Sequence, residues 1–100
     1  MLITIVVLNE KSLDKIYEFS KETLSRRHEL IVFLYSQGVK LIQLEKFEDL
    51  EALEGIRLLA CQTSLRESGF DASNHLELKT SSLSELVELL ERSDRVIFIR

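Results

Sequence analysis

Thiols and imidazoles are scarce in this 100-residue chain: one cysteine, Cys61, and two histidines, His28 and His75. One thiol excludes an intrachain disulfide framework and a multi-thiolate zinc site, and the histidines lie too far off in sequence to complete a metal motif with it. No metal or cofactor is expected, and any redox chemistry would run between molecules. Proline is absent. Gly38, Gly55 and Gly69 fall singly between periodic segments, so the chain contains no linker or low-complexity stretch. Neither the glycine fingerprint of dinucleotide sites nor a P-loop occurs. Basic charge is also in short supply. With 13 Lys and Arg against 17 Asp and Glu, the net charge of −4 gives no electrostatic reason to expect nucleic acid or an anionic membrane as the main ligand. The apolar start, Met1 to Leu8, is too short to span a bilayer and has no basic leader or small-residue cleavage site, so it is expected to be the first buried strand of a cytoplasmic protein.

What the chain does have is apolar runs of strand length. Leu2 to Leu8, Leu30 to Tyr35 and Ile56 to Cys61 are nearly continuous, as expected for parallel strands covered on both faces. Leu76 and Leu78 alternate through His75 to Lys79, which suggests a less buried fourth strand, and Arg95 to Arg100 supplies a fifth.

Helical patterns fall between these runs. Ser12 can cap a helix whose buried stripe uses Leu13, Ile16, Tyr17, Ser20 and Leu24, with Arg26 and Arg27 at its negative end. Ser82-Leu83-Ser84-Glu85 reads as a capping box before Leu86, Val87, Leu89 and Leu90, with Arg92 closing the helix. Ser64-Leu65-Arg66-Glu67 also fits a capping box, for a helix of about two turns before Gly69. Between Val39 and Leu53 the apolar residues Leu41, Leu44, Phe47, Leu50 and Leu53 recur every third position. That repeat drifts around a 3.6-residue helix and predicts a break near Gln43. The acidic stretch Glu45 to Glu51 reads as a solvated helix face. Strand and helix therefore alternate over one domain, residues 1–100. The expected fold is a three-layer α/β/α domain with a doubly wound, mainly parallel, five-stranded sheet.

In such sheets ligands bind beyond the carboxyl ends of the strands, and Cys61 closes the third strand at a helix start, where unpaired N–H groups favour a thiolate. Ser36, Gln37, Gln62, Thr63, Ser64 and Lys79 are expected on the same polar edge, as substrate-binding or thiolate-stabilising groups. His28 and His75 precede their strands and so fall at the opposite edge, about 15–20 Å away. A Cys-His dyad within one subunit is thereby disfavoured. Hydrolysis needs a proton shuttle and an activated water, whereas passing a sulfane sulfur between cysteines needs a thiolate, an open approach and a polar cradle. The available groups suit a sulfur relay better.

Three stretches carry a resemblance to a known family. Ile31-Val32-Phe33-Leu34-Tyr35-Ser36-Gln37-Gly38-Val39 resembles the second strand and glycine-valine turn of the DsrE/DsrF-like family, which includes the TusD-type sulfurtransferase subunits. Leu59 to Gly69 is similar to the segment bearing that family's active cysteine, and Ser93-Asp94-Arg95-Val96-Ile97-Phe98 to the approach to its last strand. The resemblance implies a persulfide carried on Cys61, sulfur donor and acceptor proteins as partners, and homo- or hetero-oligomers of trimer or hexamer type, acting in tRNA thiolation or sulfur oxidation. Gln37 replaces the acidic residue often found before the glycine-valine turn, and the stretch from Gly38 to Ile56 is short. The chain is also as short as the TusB- or DsrH-type partner subunits, which lack the active cysteine at this place. Two other functions are therefore carried: a non-catalytic assembly subunit with a structural Cys61, and a module binding a small anion at the same polar edge.

Overall fold

A computed structural model describes residues 1–75 and 77–100 of the chain. Five strands, β1 (Leu2–Val7), β2 (Glu29–Leu34), β3 (Ile56–Cys61), β4 (Leu78–Ser81) and β5 (Arg95–Ile99), pair in parallel in the order β4, β3, β2, β1, β5. Side chains alternate across the pleat, so each strand feeds two cores. On one face Ile3, Ile5, Leu30, Val32, Leu58 and Ala60 pack under α1 (Leu13–Ser25), a 3-10 segment (Ser36–Gln43), α2 (Phe47–Glu51) and α3 (Gln62–Ser68). On the other, Val6, Ile31, Phe33 and Cys61 pack under Leu86 and Leu89 of α4 (Leu83–Arg92). This is the expected three-layer α/β/α arrangement, with all strand pairs parallel. Each fully buried large side chain, such as Ile5, Leu34 or Phe47, contributes about 1.5–3 kcal/mol through removal from water.

The chain runs outward from β1 to β4 with its crossovers on the first face, then returns over the second face through α4 to lay β5 beside β1. The capping box of α4 is formed: Ser82 Oγ accepts the Glu85 N–H at 3.2 Å, and Glu85 Oε1 accepts the Ser82 N–H at 3.3 Å. The break near Gln43 also occurs. A 3-10 segment that holds Leu41 ends at Gln43, and α2, which holds Phe47 and Leu50, begins only at Phe47, so the three-residue repeat runs across two separate elements.

Three local expectations are corrected. The fourth strand starts at Leu78, not His75, because His75 lies in a turn that accepts the Leu78 N–H on its carbonyl; Leu76 lies outside the described residues. Ser12 stands at the N-cap of α1, but its side chain caps no N–H. The third helix begins at Gln62 with Cys61 as its N-cap, two residues before the expected box, because the Ser64 hydroxyl is engaged elsewhere.

Candidate active site

Helices α3 and α4, which follow the adjacent strands β3 and β4, lie on opposite faces of the sheet. The carboxyl ends of β3 and β4 therefore diverge into a crevice, the topological switch point at which open α/β sheets bind ligands. Cys61 is the last residue of β3, and Ser81, its register partner, is the last residue of β4.

One wall of the crevice is built by the turn after β2. Gly38 sits so close to the end of β1 that a Cβ there would lie 1.9 Å from the Val7 carbonyl oxygen, so only glycine lets the 3-10 segment cross the sheet edge. Just before it, Ser36 takes a left-handed conformation, φ 54°, and its N–H donates to Ser64 Oγ at 2.9 Å. That bond ties the turn to the first turn of α3.

Between these elements lies a cavity of about 420 Å3. Cys61, Ser36, Gln37, Thr63 and Ser64 line it, joined by Tyr35, Lys40, Glu67, Ser68, Phe70 and Leu83. Among the described residues, Lys40 and Glu67 are its only charged lining residues, and no histidine borders it. Of the expected edge residues, Gln62 is exposed outside it, and Lys79 lies exposed on β4 two positions short of the crevice. Lys40 instead brings positive charge to the site. Sequence reading overlooked it because its position depends on the 3-10 segment folding back across β1, for which Gly38 is the only local signal. Cys61 itself is 1% exposed and packs with Val6, Ile31, Phe33 and Leu86.

The opposite edge holds a second hollow, of about 950 Å3, beside the start of β3. Glu45, Glu48, Glu51, Glu54 and Glu77 line it with His75, and among the described residues no lysine or arginine does. His75 lies at this edge, as expected, and is not solvated: Nδ1 lies 2.7 Å from Glu51 Oε1, both side chains are largely buried, and the ring meets Phe47 edge-on at 5.4 Å. On the loop after α3, the exposed Asp71 carboxyl is held below its ordinary value by the Ser73 backbone N–H and then the Ser73 side chain, with burial opposing weakly. It borders neither hollow. Among the described residues, no helix is long and apolar enough to cross a membrane.

The sequence model of the DsrE/DsrF-like family matches residues 1–99. This chain belongs to the DsrE/DsrF-like family. Among solved structures it is similar to the crystal structure of the ychN protein from E. coli, with a TM-score of 0.77 and 17% identity over 99% of this chain and 100% of that one. At that identity the likeness speaks for the fold alone. No curated protein matches the chain. DsrE/DsrF-like members are in general related to sulfur relay, which directs attention to the one thiol in the crevice.

Proposed function

We propose that this DsrE/DsrF-like chain is a sulfur carrier or sulfurtransferase. Cys61 accepts a sulfane sulfur as a persulfide and passes it to the thiol of a partner protein, in a relay serving tRNA thiolation or sulfur oxidation. The observation that carries this reading is the position of the single cysteine at the switch point, on the wall of a hydroxyl-rich cavity with no histidine. Thiolate attack on a persulfide needs no general base once the thiol is ionised, so the scarcity of proton shuttles is compatible with this chemistry. Thr63, Ser64, Ser36 and Gln37 supply the polar cradle, and Lys40 takes the charge-balancing part first given to Lys79. The chain would act in the cytoplasm as a single domain, within a homo- or hetero-oligomer of trimer or hexamer type and between donor and acceptor proteins.

The test is sulfur transfer to an acceptor thiol by wild type and Cys61→Ala, each shown to be folded by circular dichroism. Transfer should vanish in the variant; transfer retained without the thiol would refute the proposal.

A second reading, a non-catalytic assembly subunit, is favoured by the burial of Cys61 and by exposed apolar side chains on or beside the α4 face. Leu83, Val87 and Phe98 are 47%, 53% and 55% exposed. In that case native Cys61 should resist thiol reagents while the chain forms a stable complex with related subunits. Rapid labelling would exclude it.

A further inference from the structure

Ser81 is 2% exposed, and its Oγ is a buried hydroxyl with no hydrogen-bond partner among the described residues. Leaving such a group unpaired is unfavourable, and most buried hydroxyls in proteins find a partner. Register pairs Ser81 with Cys61 across the β3–β4 ladder. Side-by-side residues of parallel strands project to the same face, so the orphaned hydroxyl and the thiol share the α4 side of the sheet. The free thiol does not reach it: Ser81 Oγ has no sulfur partner either.

Paired strands stand about 4.8 Å apart, and a sulfur–sulfur bond extends a cysteine by about 2 Å. A second sulfur on Cys61 Sγ is therefore of the right length to close the gap. We infer that Ser81 is the positioning residue for the sulfur carried on Cys61: its hydroxyl donates to the outer sulfur of the persulfide and holds it at the crevice between β3 and β4. The inference rests on the sulfur-carrier reading. In the loading step the Cys61 thiolate attacks the outer sulfur of a donor persulfide. A new bond forms from Cys61 Sγ to that sulfur, the donor's sulfur–sulfur bond breaks, and its electron pair leaves on the donor thiolate. The transferred sulfur keeps its proton or releases it to water, and there is no net oxidation. The outer sulfur, ionised at neutral pH, is an acceptor suited to the Ser81 O–H, because hydrogen bonds to charged acceptors are the strong ones.

A merely structural serine and a positioning serine predict opposite patterns. Because the hydroxyl is unpaired in the free protein, Ser81→Ala should leave the melting temperature unchanged or raised before loading, yet weaken the loaded state. Wild type, Ser81→Ala and Ser81→Thr are incubated with glutathione persulfide, and the fraction of protein bearing one extra sulfur and its decay are followed by intact-protein mass spectrometry. The account expects Ser81→Ala to hold the sulfur roughly tenfold less well, the size of one hydrogen bond to a charged acceptor. Ser81→Thr, which keeps the hydroxyl, should restore most of that loss. Equal loading and lifetime in wild type and Ser81→Ala would overturn the role of Ser81 while leaving Cys61 as the carrier. Failure of wild type to take up any sulfur would overturn the carrier reading and this inference with it.

Discussion

The two ends of this sheet present hollows of opposite character. The amino-end hollow is the larger, about 950 Å3 against about 420 Å3, yet its titratable groups are five glutamates and a histidine already engaged by one of them. An anionic sulfur species would meet like charge there. The carboxyl-end cavity is smaller but holds the chain's one thiol, hydroxyls from the turn after β2 and from α3, one lysine and the divergence of two crossovers. Volume follows from where loops leave space; chemistry follows from strand direction, which brings the ends of β2, β3 and β4 together. The comparison favours the smaller cavity.

Breaking the carboxyl edge should have the largest effect. Gly38→Ala would drive a Cβ into the Val7 carbonyl, and displacement of the 3-10 segment is expected to destabilise the protein by about 3 kcal/mol or more, read as a lower midpoint in urea unfolding. At the amino edge, Glu51→Ala would strand the largely buried His75 ring nitrogen. A loss of about 2 kcal/mol in stability is expected, with sulfur loading of Cys61 unchanged at a temperature where the variant is folded. Impaired loading in that variant would break the division of labour between the two edges. Ser64→Ala removes the acceptor of the Ser36 N–H and should reduce stability by about 1 kcal/mol, with faster hydrogen exchange at the Ser36 amide. The smallest effect sharpens the electrostatic side of the comparison. Lys40→Gln should slow loading by an anionic persulfide about threefold at low salt, and the difference should shrink as salt is raised. An equal slowing in Arg57→Gln, an exposed cation near the start of β3, would show that net charge rather than the cavity is responsible.

Much of this architecture is written locally. The apolar runs announce four strands, Ser82 and Glu85 announce α4, and the three-residue repeat from Leu41 to Leu53 announces an interrupted helix whose type only the structure reveals. Other features arise between segments and have no local signature. The Ser64 hydroxyl fits a capping box on sequence, but in the fold it serves the Ser36 N–H, 28 residues away. The surroundings of His75 likewise arise only when α2 brings Glu51 and Phe47 to it. Cys61 was visible as the last residue of an apolar run. Its neighbours Lys40, Tyr35, Phe70 and Leu83 were not, because the 3-10 segment, the loop after α3 and the start of α4 converge on the cavity only in three dimensions. The pairing of Ser81 with the thiol has no local signature either: the register of β4 on β3 sets the two side by side.

The most direct test of the central claim, that the carboxyl edge does the chemistry through its one thiol, is intact-protein mass spectrometry of wild type and Cys61→Ala after exposure to a persulfide donor. Native thiol labelling is run alongside. The account predicts one added sulfur on wild type alone, removed by reductant, with Cys61 labelled in the native protein. An unmodified, unlabelled wild type would contradict it and leave Cys61 a buried structural residue of an assembly subunit.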